Sequence, residues 1–153
     1  MTLLFAFLIG LFAGLRSLTP PAAVAWAVHL GWLKLVRPLS LIGSLPAVII
    51  LSVLAITELI FDKLPNTPSR TAPPGLIARI VTGGFTGACV SLGGGQSAFV
   101  GAGLGLIGGI AGCFAGYQAR AWLVKSLRQP DFNIALIEDL IAIGGSLFIV
   151  SRF

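Results

Sequence analysis

The sequence predicts an all-α integral membrane protein: a compact bundle of four full transmembrane helices with a short N-terminal helix pair. Three observations carry that prediction. Leu39–Phe61 is 23 residues with one charge, Glu58, and Ser97–Ala119 is 23 residues with none. A bilayer core needs roughly 20 apolar residues of helix, so either stretch is long enough to span it. The chain is 56% hydrophobic and only 10% charged, with a mean hydropathy of +1.00, far from soluble domains, where about a quarter of residues are charged. Finally, the ten basic residues behind the net charge of +5 are scattered between apolar runs. They read as headgroup anchors and topology signals, and argue against a nucleic-acid-binding face.

The elements follow in order along one membrane domain, 1–153. Residues 2–15 and 20–36 begin with two apolar stretches of 14 residues each, separated by Arg16-Ser17-Leu18-Thr19. Fourteen residues of helix reach about 21 Å, short of a bilayer core, so the two form short helices, a re-entrant pair or one broken span. Pro20-Pro21 suits a helix start, where proline's missing N–H costs nothing, and Thr19 is placed to cap. Met1-Thr2-Leu3-Leu4 has no basic residue ahead of the apolar stretch, so a cleaved signal peptide is not expected. Trp26, Trp32, Lys34 and Arg37 mark an interface.

Residues 39–61 are the clearest span, with Pro46 inside it. The connector from Asp62 to Pro74 holds four prolines and is stiff and extended. A helix over 74–92 contains Arg79, Gly93-Gly94-Gly95-Gln96 makes a turn, and a span over 97–121 follows. The last helix, 132–151, carries Glu138 and Asp139. Counting connector charges puts the N-terminus, Lys34, Arg37 and Arg152 on one side. Lys63, Arg70, Arg120, Lys125 and Arg128 fall on the other, which the positive-inside rule makes cytoplasmic.

Thirteen of the twenty glycines lie between Gly83 and Gly116. Gly101, Gly105 and Gly109 recur at intervals of four, as do Gly108, Gly112 and Gly116. Such a glycine-zipper pattern lets helix backbones approach closely, either within one chain, at a homo-oligomer seam or along a narrow conduit. No strand or lysine accompanies these glycines as a phosphate loop requires. Cys89 and Cys113 show no metal or redox spacing and read as small packing residues. With His29 the only histidine, neither a histidine-based metal site nor a cofactor is expected.

Ionisable groups inside apolar segments are costly and mark functional positions by default. Here those are Arg16, Glu58, Arg79 and Glu138 or Asp139. Asp62 lies four residues beyond Glu58, on the same helix face, and Lys63 follows. Glu138 and Asp139 point about 100° apart, so one of them is expected to face the interior. Asp62 and Asp131 lie near interfaces and read as caps or rim charges. Arg16-Ser17-Leu18-Thr19-Pro20-Pro21 also resembles Ser69-Arg70-Thr71-Ala72-Pro73-Pro74, and Phe12-Ala13-Gly14 resembles Phe114-Ala115-Gly116. Weak internal repeats with interrupted helices point to a transport site, and two helix starts with arginines suit an anion. Ordinary helix starts beside interfacial arginines are the plainer reading.

Lys63 and Arg70 reproduce the opening spacing of a lipid-phosphatase signature, but the remainder of that signature is missing. No serine or cysteine nucleophile pairs with a histidine in the usual order, so an enzyme is not expected.

Phe12-Ala13-Gly14-Leu15-Arg16-Ser17, Glu58-Leu59-Ile60-Phe61-Asp62-Lys63-Leu64-Pro65, Thr67-Pro68-Ser69-Arg70-Thr71, Ala78-Arg79 and Glu138-Asp139 resemble a group of small bacterial inner-membrane proteins. That group is catalogued as domain of unknown function 4126. The resemblance covers nearly the whole chain and implies a multi-span protein of the cytoplasmic membrane without an assigned activity.

The leading expectation is a transporter or channel for a small polar or anionic solute or ion. Its ligand would bind near Arg16, Arg70 and Arg79, with Glu58 and Glu138 as counter-charges or proton carriers. The alternative is a non-catalytic membrane scaffold or accessory subunit that associates through its glycine-rich helices, with the lipid bilayer or a second copy as partner.

Overall fold

The structure is a computed structural model of the 153-residue chain, described here for residues 1–63, 72–127 and 130–153. It contains α1 (Thr2–Leu15), α2 (Thr19–His29), a 3-10 turn (Leu39–Gly43), α3 (Leu45–Phe61), α4 (Pro73–Gly93), α5 (Ala98–Leu127) and α6 (Asp131–Val150). No strand occurs among the described residues.

Among the described residues three helices, not the expected four, are both long and apolar enough to cross a bilayer: α4, α5 and α6, with 21, 30 and 20 residues. The difference lies at Pro46. The stretch 39–61 is not one helix. Ser44 is extended (φ −64°, ψ 145°), and Pro46 occupies the first turn of α3. A proline there has no intrahelical partner to lose and its fixed φ suits the start, so it begins the helix instead of interrupting it. The 17 residues that remain measure about 26 Å, just under a bilayer core of about 30 Å. α2 is also shorter than 20–36, because Gly31 takes a positive φ of 76° and turns the chain just past His29. α5 runs further than 97–121, to Leu127.

Glycine decides how the central helices meet. A Cβ on Gly83 would lie 2.6 Å from the Gly105 carbonyl oxygen, and one on Gly109 would lie 2.8 Å from the Arg79 carbonyl oxygen. Gly10 and Gly14 of α1 abut Gly105 and Gly109 in the same way, and Gly112 abuts Leu11. The Gly101, Gly105, Gly109 and Gly112 stripe is therefore covered by α4 and α1 of the same chain. α1 runs alongside α5, and α4 and α6 run back against them. Gly145 of α6 meets the Phe12 ring, and Phe5 and Phe153 stack edge to face at 6.1 Å.

The buried apolar core lies between α1, α2, α4 and α6, around Ile9, Val24, Leu33, Val90 and Ile149. Both cysteines are buried within the bundle. By contrast α3 lies against α2 and the 3-10 turn and buries only Val48 and Ala55.

Candidate functional site

The chain breaks between α1 and α2 at Arg16-Ser17-Leu18, and that break is where the charges collect. Arg16 is extended (φ −138°, ψ 113°) and its residue is 0% exposed. Burying a guanidinium is expensive unless carboxylates answer it, and three do. Its Nε donates to Asp139 Oδ1 at 2.6 Å, its Nη1 donates to Asp62, and its Nη2 lies 3.9 Å from Glu138 Oε2.

Each of those carboxylates also faces a second cation. Lys63 Nζ donates to Asp139 Oδ2 at 2.6 Å and to the Leu59 carbonyl at 3.0 Å. Arg79 Nη2 lies 3.8 Å from Asp62 Oδ2, while its Nη1 donates to the Gly75 carbonyl at 3.1 Å. Arg120 Nη1 lies 3.7 Å from Glu138 Oε2, and its Nε donates to Asp131 Oδ1 at 2.7 Å.

Glu58 does a different job. Its Oε1 accepts from the Ser17 N–H at 2.8 Å and the Ser17 hydroxyl at 2.6 Å, and its Oε2 accepts from the Leu18 N–H at 2.8 Å. No side chain of its own caps α2. Orphan N–H groups at a helix start carry partial positive charge and need an acceptor; here a neighbouring helix supplies a carboxylate.

All five acidic residues of the chain, Glu58, Asp62, Asp131, Glu138 and Asp139, thus meet at one end of the bundle. Among the described residues, four basic ones face them: Arg16, Lys63, Arg79 and Arg120. No group of three or more His, Cys, Asp or Glu among the described residues is arranged to hold a metal ion, since the carboxylates surround cations.

Several placements differ from the sequence expectations. Glu138 and Asp139 are both buried, at 8% and 6% exposure. Diverging by about 100° is no obstacle when Arg16 reaches both, Lys63 answers Asp139 and Arg120 answers Glu138. Asp62 is no simple rim charge, because it sits between Arg16 and Arg79. Asp131 does lie on the rim, its side chain 62% exposed. Thr19 is buried without a hydrogen bond for its hydroxyl among the described residues; the chain enters α2 through Leu18 at the N-cap. Ser69, Arg70 and Thr71 lie outside the described residues. Gly116 is buried on α5, facing a groove toward α6.

Sequence reasoning passed over Arg120, taken as a headgroup anchor. The available signal was its opposite charge to Asp131 across the turn from α5 to α6.

A helical bundle with three bilayer-length apolar helices and a buried ion-pair cluster belongs to the class of membrane proteins. The family model described as Domain of unknown function (DUF4126) matches residues 3–151, and the chain belongs to that family. No curated protein and no solved structure matches it.

Proposed function

We propose that this chain is a small, non-enzymatic transport protein of the bacterial inner membrane. Its cargo is a small polar or anionic solute or ion, handled at the charge cluster of the α1–α2 break. The observation that carries this reading is the sharing of carboxylates: Asp62, Glu138 and Asp139 each sit between two cations. A shared carboxylate changes partners at little cost. Binding of an anion at Arg16, or of a proton at Asp139, shifts contacts within the cluster: Arg16 keeps Asp62 and Glu138, and Lys63 keeps the Leu59 carbonyl. Ionisable groups inside membrane segments serve such pathways, and interrupted helices are where transporters place them. Arg16 Nη2 and the Thr19 hydroxyl are buried and make no hydrogen bond among the described residues, which leaves donor capacity at the break. α3 is the element that responds, because the cluster ties its C-terminal end to the bundle through Glu58, Asp62 and Lys63.

The test is flux in proteoliposomes with a pH-sensitive dye inside, under imposed gradients of sodium, potassium, phosphate and short carboxylates. The expected result is a solute-dependent signal that Asp139→Asn abolishes while the variant remains folded. A folded wild-type protein with neither flux nor ligand-induced stabilisation across that panel would refute transport.

The scaffold reading has one observation in its favour. The outer face of α3 presents Leu45, Ile49, Ile56 and Ile60, each more than half exposed, whereas Gly101, Gly105, Gly109 and Gly112 are covered within the chain. A partner would therefore dock on α3 and not on the glycine stripe of α5.

A further inference from the structure

The end of the bundle opposite the charge cluster carries a bowl of about 440 Å³. It forms where α2 stops, the chain reverses at Gly31, and the 3-10 turn leads into α3. Leu33 is 1% exposed and plugs inward against Gly93, anchoring the wall. His29 Nδ1 lies 2.9 Å from the Gly43 carbonyl oxygen; a carbonyl only accepts, so Nδ1 carries the proton and donates. That bond ties the end of α2 to the 3-10 turn.

Lys34 and Arg37 line the bowl, together with Ser40 and Ser44. Both cations are exposed. Neither has a carboxylate within ion-pair distance among the described residues, since every acidic side chain of the sequence is committed to the other end. The site is thus positive, serine-lined and without a protein counter-ion among the described residues. Around it Trp32, Val36, Leu41 and Leu45 are exposed by 44%, 77%, 57% and 57%. Tryptophan beside snorkelling cations is the pattern of the headgroup layer. From Leu45 the exposed apolar face of α3 continues away from the bowl, as an acyl chain would.

We infer that this bowl binds the phosphate of an anionic phospholipid headgroup between Lys34 and Arg37, its acyl chains lying along α3. Lysine and arginine pair with phosphate oxygens through charge-assisted hydrogen bonds, and basic pockets between membrane helices select anionic lipids. The site is independent of the transport reading, as it shares no residue with the cluster.

The experiment is native mass spectrometry of the full chain released from nanodiscs of mixed phosphatidylglycerol and phosphatidylcholine. Wild type is expected to retain phosphatidylglycerol preferentially. The double variant Lys34→Gln, Arg37→Gln should lose that preference by roughly ten- to thirtyfold, at about 1 kcal/mol for each surface cation. The charge-conserving pair Lys34→Arg, Arg37→Lys should keep it, which guards against a folding artefact, and Lys125→Gln should have no effect. Equal retention of the two lipids by wild type, or an undiminished preference in the double variant, overturns the inference. Displacement of the lipid by inorganic phosphate at matching concentration overturns the lipid as the source of the phosphate.

Discussion

The two ends of this bundle handle charge in opposite ways. At one end the five carboxylates gather with Arg16, Lys63, Arg79 and Arg120, with Arg16 sealed from solvent. At the other, Lys34 and Arg37 stand exposed with no carboxylate near. Charge inside a low-dielectric bundle survives only where the protein itself supplies the counter-charge. At the membrane surface water and headgroups supply it. The same residue type is therefore architecture or machinery at one end and a binding surface at the other.

The sharpest way to break that contrast is Arg16→Leu. It takes a shared cation from three carboxylates at once, leaving Asp62, Glu138 and Asp139 to Arg79, Arg120 and Lys63, and should cost about 3–5 kcal/mol, read as a loss of folded protein in thermal unfolding. Lys34→Gln should stay within about 0.5 kcal/mol of wild type. If the two variants melt alike, the distinction between the ends fails.

Next comes the glycine interface that presses the cluster-bearing helices together. Gly105→Ala puts a methyl group against the Gly83 carbonyl and should cost about 1–3 kcal/mol through overpacking. Gly103→Ala, two residues away, meets open space. It should stabilise by up to about 1 kcal/mol, the difference in helix propensity. Opposite signs in one unfolding series would locate the interface on α5.

Glu58→Gln keeps an acceptor at the start of α2 but removes its charge. A loss of about 0.5–2 kcal/mol is expected, in the range of helix caps and dipole contacts. Rescue by Glu58→Asp would argue against the pairing, because the shorter side chain cannot span to both Ser17 and Leu18 without moving α3.

The smallest effect belongs to the rim. Asp131→Asn should cost no more than about 1 kcal/mol, since its side chain is 62% exposed. A double-mutant cycle with Arg120→Gln measures it.

How much of this was legible in the sequence depends on the range of the physics. Arg16, Glu58, Arg79, Glu138 and Asp139 stood out because a charge in an apolar segment is conspicuous wherever its partner lies. Who pairs with whom was not legible. The bond from Arg16 to Asp139 joins residues 123 apart, and nothing local encodes it. Pro46 misled for a related reason: the apolar pattern runs straight through Leu39–Phe61. Only the extended backbone at Ser44 reveals that the proline opens a helix. Glu58 as the cap of α2 was invisible, because caps are expected from the segment's own residues, and Thr19 was the obvious but unused choice.

The Arg16–Asp139 bond also constrains how the protein is made. Arg16 leaves the ribosome 123 residues before its partner exists, an interval of about 6–25 s at 5–20 residues per second. Through that interval neither Asp139 nor Glu58, the acceptor for α2, is available at first. Glu58 and Asp62 arrive partway, and the last helix completes the set. The α1–α2 break is therefore expected to settle only when the last helix supplies Glu138 and Asp139. A chain stalled before Glu138 is expected to keep that break open to water, where Ser17→Cys, buried in the finished fold and leaving Arg16 in place, would react with a membrane-impermeant maleimide and, once the chain is complete, would not.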